Sequence, residues 1–227
     1  MDDLKYPRTY HLPTSPGLQS DDKRIPDLAP FRGERVIITE KMDGECTTLT
    51  TVRSYARSPD SGYHPSRDWL RAYHARRAPH IPDDWRISGE YLYARHSVAY
   101  TRISGNALRS FFYGFGVWDD SNELLNWDTT LEILEMLEIE PVPVLYDGPF
   151  SDDVIQNVVA GLDTSRQEGF VVRLADRMPY PAGAGSAARF FDGIAKWVRS
   201  SHVINEKHWM AGPVVPNELR EGLDATP

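Results

Sequence analysis

The sequence has very little cysteine and no long apolar run. Cys46 is the one cysteine among 227 residues, which excludes an internal disulfide and a multi-cysteine zinc site. No apolar run approaches the roughly 18 residues that span a bilayer. The first residues, MDDLKYPRTYHLP, lack the apolar core of a signal peptide. We therefore expect a cytoplasmic protein with no membrane association, in which Cys46 is a small residue of a strand.

Basic residues are outnumbered, because 25 lysines and arginines face 33 acids and give a net charge of −8. This charge argues against indiscriminate binding of nucleic acid, which depends on neutralising phosphates. A local basic groove is still compatible with it. The most basic stretch, RDWLRAYHARR at 67–77, is a candidate for such a groove, although its spacing alone favours a solvated helix face.

Strand patterns outnumber helix patterns along the chain. Runs rich in β-branched and aromatic residues, bounded by Gly, Pro, Asp or Ser, predict strands at 36–39, 47–56, 87–94, 110–119, 169–174 and 194–199. Helices are predicted at 66–77, 128–139 and 151–162, with Asp128 and Ser151 as N-caps. Because helices and strands do not alternate regularly, we predict an α+β fold built on antiparallel sheets.

The stretch PAGAGSAARF at 181–190 matches the loose G-x-G-x-x-A pattern of dinucleotide-binding loops. That pattern carries meaning only with a strand directly before it and a helix directly after it. Here a proline-containing loop precedes the glycines, and RFFDGIAKW predicts a strand and a turn. We therefore predict a flexible surface loop without a nucleotide site.

A charged centre, EKMDGE at 40–45, lies between two β-branched runs. The ammonium of Lys41 becomes a nucleophile only where burial or nearby cations lower its pKa, and the flanking carboxylates do the opposite. Asp43 and Gly44 suit a tight turn, since glycine tolerates positive φ. On these residues alone, the pattern favours a surface hairpin over a catalytic lysine.

Segments downstream of Lys41 favour a catalytic role for this lysine. Lys41-Met-Asp43-Gly44 resembles the lysine motif of the covalent nucleotidyltransferases, the superfamily of DNA ligases, RNA ligases and mRNA capping enzymes. Further segments resemble the later motifs in order: Arg57 in SYARS, Glu90 in SGEYLYARHSVAY, Phe115 in FFYGFGVWD, Glu168 in EGFVVR and Lys196 in AKWVRS. With YPRTYHLP at the start, the combination is most similar to bacterial and phage members of the RNA ligase family.

The resemblance implies an ATP-dependent RNA ligase with a nucleotidyltransferase domain, ATP-grasp-like, of antiparallel sheets flanked by helices at 34–205. An N-terminal arm at 1–33 would pack on it, and a short C-terminal tail would follow at 206–227. The residues after 200 are too few for a separate OB-fold. Expected partners are RNA with 5′-phosphate and 3′-hydroxyl ends, and a protein that could supply the missing C-terminal domain.

The resemblance also assigns roles, with ATP and Mg²⁺ or Mn²⁺ as cofactors. The residues implied in catalysis are Lys41 and Lys196. Those implied in ATP binding are Lys41, Arg57, Glu90, Phe115, Glu168 and Lys196. Glu168 and Asp43 are the implied metal ligands. Those implied in RNA binding are Arg71, Arg76, His96 and Arg199.

The fifth motif departs from the family, which usually carries two lysines separated by one residue. This chain has Lys196-Trp-Val-Arg199, and residues three apart on a strand do not share a face. The cation that replaces the second lysine is therefore open. A DNA ligase or capping guanylyltransferase on the same scaffold, or a non-catalytic nucleotide- or RNA-binding module, are the alternatives.

Overall fold

A computed structural model describes residues 4–18, 20–57, 64–200 and 213–223. The strands are β1 Tyr10–His11, β2 Arg35–Lys41, β3 Glu45–Leu49, β4 Ser54–Ala56, β5 Arg86–Tyr91, β6 Phe112–Trp118, β7 Glu123–Leu124, β8 Glu140–Pro141, β9 Val144–Pro149, β10 Gly169–Leu174, β11 Met178–Pro179 and β12 Ile194–Val198. The α-helices are α1 Asp68–Arg77, α2 Trp127–Met136, α3 Asp152–Gly161 and α4 Ala184–Gly193. Short 3-10 helices cover Ala29–Phe31, Pro65–Arg67 and Ala78–His80.

The strands form two sheets, and the predicted α+β class with antiparallel pairing is confirmed. The first sheet has the order β1-β12-β10-β2-β9, and the second has β11-β7-β6-β5-β3-β4 with β8 beside β6. All pairs are antiparallel except β1 with β12 and β6 with β8. None of the helices described is long and apolar enough to cross a membrane.

Strand β2 is apolar on both faces because each face packs on a different core. Val36 and Ile38 belong to the cluster that includes Phe170 of β10 and Ile155 of α3. Ile37 points the other way, into the cluster formed largely by the second sheet. A strand buried on both faces has a continuous apolar run, which is why VIIT lacks polar alternation.

The surface hairpin, one of the two interpretations of the segment around Asp43 and Gly44, is not formed. Strands β2 and β3 do not pair with each other but belong to different sheets, so this segment crosses from one sheet to the other. Gly44 has no positive φ. A Cβ at this position would overlap the Tyr91 carbonyl oxygen, so glycine is needed here for the close approach of β5.

Two boundary predictions also need correction. The single strand predicted at 47–56 is a hairpin of β3 and β4, whose turn is closed by the Thr50 hydroxyl accepting the Arg53 N–H at 3.1 Å. Helix α2 is capped by Asn126, whose side chain accepts the Thr129 N–H at 2.9 Å. Asp128 lies within the helix and forms an ion pair with Arg35 at 2.7 Å.

The loop predicted at 181–190 is also wrong, because most of it forms α4. The Ser186 hydroxyl caps the helix by accepting the Gly183 N–H at 3.0 Å. Phe190 is fully buried and stacks on Trp118, and Phe191 stacks on Tyr10. Long-range aromatic packing of its apolar face therefore stabilises a helix in a stretch whose glycines lower its local helix propensity.

The segments at the two ends of the chain lie on these sheets. Strand β1 runs parallel to β12 and adds the arm to the first sheet. Pro216 and Leu219 form bridges with Ala94 and Leu108 next to the second sheet. The predicted domain end at 201–205 and the start of the tail at 206–212 lie outside the described residues, so these boundaries stay predictions.

Candidate active site

A cavity of about 420 Å³ lies between the two sheets. Lys41, at the end of β2, is paired across the sheet with Gly169 of β10. The fold brings all six residues with a predicted role in ATP binding into the lining of this cavity: Lys41, Arg57, Glu90, Phe115, Glu168 and Lys196. They come from six different strands or the residues next to them, so the sequence order alone does not place them together.

Lys41 is held by a buried carboxylate. Its Nζ lies 2.5 Å from Oε2 of Glu168, a side chain that is 1% exposed. Burial lowers the pKa of Lys41, but the carboxylates of Glu168, Glu90 and Asp43 outweigh burial and raise this pKa above its usual range. The side chain is therefore an ammonium here, because the effect of the carboxylates that face it exceeds that of burial.

Glu90 lies on β5 opposite Cys46 of β3. Its Oε1 accepts the Gly44 N–H at 3.1 Å, so it also holds the crossover segment. Burial raises the pKa of Glu90 to about 8, although Lys41 acts in the opposite direction. Part of the Glu90 population is consequently protonated at neutral pH.

Glu90→Gln is expected to raise the free energy of unfolding at pH 9 by about 1–2 kcal/mol, and by less at pH 5. The folded-state pKa of Glu90 is raised by burial, so ionisation destabilises the fold progressively as pH rises from the unfolded value toward about 8. Glutamine keeps the acceptor and removes the charge. Urea unfolding at both pH values measures the difference, with the exposed Glu132→Gln as control. A gain independent of pH would contradict the assignment.

Asp43 is clamped by the segment that follows β5. Its Oδ2 accepts the Ser97 hydroxyl at 2.7 Å and the Val98 N–H at 2.6 Å. The Asp43 N–H in turn donates to the Tyr100 hydroxyl at 2.9 Å. RHSVAY therefore positions the residues next to Lys41, a role that sequence reasoning missed because Tyr100 suits core packing equally well.

The carboxylates suit a metal ion that enters with a nucleotide. Within the described residues, no group of three or more His, Cys, Asp or Glu side chains could hold a metal ion alone. Mg²⁺ is commonly bound by one or two carboxylates together with substrate phosphates and water. Glu168 fits this use, whereas one oxygen of Asp43 is already committed to two donors. The metal role of both residues stays a prediction.

The N-terminal arm forms one wall of the cavity, which the sequence did not reveal. Tyr6 lines the cavity and places its ring edge-on to Phe115, with centroids 5.1 Å apart. Arg57 donates from Nε to the Tyr6 carbonyl at 3.2 Å. Residues 1–33 are rich in proline and lack periodicity, so no local signal indicated this contact.

Arg173, the last residue of EGFVVR, also lines the cavity and is 3% exposed. Its Nη2 donates to the Leu125 carbonyl at 2.8 Å. In the part of the chain that the structure describes, its buried Nη1 has no hydrogen-bond partner. Burial lowers the pKa of Arg173 to about 10. A charged donor is thus available to a ligand, at a position that sequence reasoning treated only as strand.

The residues predicted to bind RNA fall into two groups. Arg71 and Arg76 are exposed on α1 and do not line the cavity. Arg199 connects two loops, donating to the Thr164 carbonyl at 2.5 Å and to the Ser97 hydroxyl at 3.5 Å. His96 is half-buried directly before Ser97. The fold therefore brings His96 and Arg199 close to the segment after Lys41 that connects β2 to β3. Arg71 and Arg76 of α1, in contrast, lie outside the cavity.

A family model described as RNA ligase matches residues 34–198. The match covers well over half of the chain and includes every strand that contributes to the cavity except β1. The chain belongs to the RNA ligase family. No curated protein matches it.

Solved structures show the same fold at low sequence identity. An archaeal ATP-dependent RNA ligase is 16% identical with a TM-score of 0.55, over 87% of this chain and 48% of that one. A Naegleria gruberi RNA ligase mutant with ATP and Mn is 14% identical with a TM-score of 0.59, over 88% and 57%. A putative ATP-dependent DNA ligase from Aquifex aeolicus is 13% identical with a TM-score of 0.52, over 87% and 50%. This RNA ligase family chain spans about half the length of those proteins.

Proposed function

We propose that the protein is an ATP-dependent RNA ligase that works through a lysine–AMP intermediate. The observation that carries the proposal is the Lys41 Nζ, 2.5 Å from buried Glu168 in a cavity that also holds Lys196, Arg57, Glu90 and Phe115. A nucleophile, phosphate-binding cations, ribose-binding groups and an aromatic ring are the parts that nucleotidyl transfer needs.

The proposed reaction consists of three transfers. Lys41 loses a proton to solvent, its nitrogen bonds to the α-phosphorus of ATP, and the bond to the β-phosphate breaks to release pyrophosphate. An oxygen of an RNA 5′-phosphate then bonds to the AMP phosphorus while the bond to Lys41 breaks. Finally a 3′-hydroxyl loses its proton, bonds to the 5′-phosphate phosphorus, and AMP leaves.

Each cavity residue has a proposed role in these transfers. Lys196 neutralises charge on the α-phosphate, and Glu90 with Arg57 holds the ribose. Phe115 stacks on adenine, a contact of about 1–3 kcal/mol in single-strand binders. Glu168 holds Mg²⁺ or Mn²⁺, which supplies positive charge that favours the neutral form of Lys41.

The RNA ends are proposed to lie beside residues 42–44, which connect β2 to β3, and next to His96 and Arg199. Arg71 and Arg76 of α1 are proposed to contact RNA farther from the reacting ends. A protein partner that supplies a further domain is also proposed.

Labelling separates this function from its alternatives. The protein is expected to take a covalent label from α-labelled ATP and not from GTP, and to seal 5′-phosphorylated RNA in preference to DNA. Label from GTP would indicate a guanylyltransferase, and preferential sealing of DNA a DNA ligase. Binding of ATP with neither covalent label nor sealing would indicate a non-catalytic module.

A further inference from the structure

One row of side chains crosses the first sheet and ends on the N-terminal arm. In register across neighbouring strands it contains Thr39 of β2, Val171 of β10, Lys196 of β12 and His11 of β1. All four line the cavity. The cavity therefore continues beyond Lys196, on the side away from Lys41, into a bay whose wall is the arm.

His11 is held in a fixed orientation in this bay. It is 1% exposed, and its Nδ1 lies 2.8 Å from the Ser15 hydroxyl. Ser15 accepts the Val198 N–H at 3.0 Å, which ties it to the strand that carries Lys196. His11 Nε2 faces the Asp22 carboxylate at 3.1 Å, and a carboxylate oxygen only accepts, so the neutral ring carries its hydrogen on Nε2.

Asp22 is the carboxylate on the other side of His11. It lies 3.1 Å from His11 Nε2 and 3.7 Å from Lys196 Nζ, so one carboxylate serves two donors. Burial and the charge of Lys196 lower the pKa of His11 to about 4, with Arg24 acting in the same direction and Asp22 against it. His11 is therefore a neutral donor here. A polyphosphate carries more charge than Asp22 and can replace it at both donors.

The row of side chains from Thr39 to His11 extends in the direction in which pyrophosphate would leave. In an in-line displacement the leaving oxygen lies opposite the attacking nitrogen. Across the sheet the order is β2 with Lys41, then β10, then β12 with Lys196, then β1 with His11. Strands are about 4.8 Å apart, so His11 lies one strand beyond Lys196 on the side where a departing pyrophosphate would be.

We propose that His11 binds the β- and γ-phosphates of ATP and the pyrophosphate that leaves, through a hydrogen bond from Nε2. Position 198, which shares a face with Lys196, holds valine, so the arm supplies a donor that β12 lacks. No proton is transferred: the breaking bond leaves its electron pair on pyrophosphate, and the donor stabilises that charge. This inference rests on the proposed ligase function.

The variant His11→Gln tests the proposal, because the first and the third transfer can be measured separately. Transfer of AMP from ATP to Lys41 releases pyrophosphate, whereas sealing of RNA that is already adenylylated does not. His11→Gln is expected to slow labelling by ATP about 10–100-fold and to leave sealing of pre-adenylylated RNA within about twofold. Tyr10→Phe on the same strand, which keeps the stacking on Phe191, should change neither step.

The reverse reaction provides a second measurement. Pyrophosphate added to the isolated enzyme–AMP adduct removes the label, and His11→Gln should need about 10-fold more pyrophosphate for half-maximal removal. Equal slowing of both steps, or an unchanged pyrophosphate requirement, would overturn the assignment and leave His11 as a structural residue. A wild-type protein that takes no label from ATP would instead refute the ligase function itself. If His11→Gln does not fold, Asp22→Asn is expected to lower the required pyrophosphate about threefold, and no change overturns the proposal.

Discussion

Lys41→Arg is expected to abolish covalent transfer of AMP to the protein, with a loss of at least about 10³-fold. Arginine keeps a positive charge beside Glu168, so the buried carboxylate retains its partner. A guanidinium does not lose its proton in proteins and provides no lone pair for attack on phosphorus. The substitution therefore removes the nucleophile and leaves the electrostatics of the site largely in place.

Lys41→Ala gives a useful contrast, because it leaves Glu168 buried without its ion-pair partner. We expect it to lose labelling equally and to lower the free energy of unfolding by about 2–3 kcal/mol, whereas Lys41→Arg should stay within about 1 kcal/mol of wild type. Labelling with α-labelled ATP under denaturing conditions, together with urea unfolding, measures both effects. Label on Lys41→Arg that survives denaturation would identify a different nucleophile.

Much of the site could be predicted because strand geometry repeats every two residues. Lys196 and Val198 face the cavity from β12, as the alternation requires, and Arg199 does not line it. The alternation of side chains is a local property that passes directly from sequence to structure. The remaining site residues were predicted from the order of the motifs along the chain, which is part of the resemblance to the family.

The parts that could not be predicted depend on contacts between residues distant in the chain. Asp43 is fixed by Ser97 and Val98, and Tyr6 reaches Phe115 from the arm. Neither contact has a periodic signal. The helical form of 184–193 likewise depends on burial of Phe190 against another element. Local propensity is weak in such segments, and tertiary packing determines the structure.

Gly169 contributes both to the packing of the first sheet and to the position of the residues around Lys41. It follows Glu168 in the chain, and it is paired with Lys41 on one side and with Val198 on the other. A Cβ at this position would overlap the Trp197 carbonyl oxygen of β12, a backbone atom that cannot move without the strand. The glycine is required by the close approach of two strands rather than by its own φ, which is not positive.

Gly169→Ala is therefore expected to cost more than about 3 kcal/mol of unfolding free energy and to remove labelling by ATP. Relief of the overlap separates β10 from β12 and shifts Glu168 relative to Lys196. The shift disturbs the ion pair of Glu168 with Lys41 and the position of Lys196 at the α-phosphate. Gly161→Ala, at the end of α3 with no atom within 4 Å of the added Cβ, is the matched control. It should stabilise the protein by about 0.5–1 kcal/mol and leave labelling unchanged. Urea unfolding and the labelling rate measure both variants. A Gly169→Ala protein with the wild-type midpoint would mean that β10 and β12 do not approach this closely, and that Lys41, Glu168 and Lys196 are not held together by this pairing.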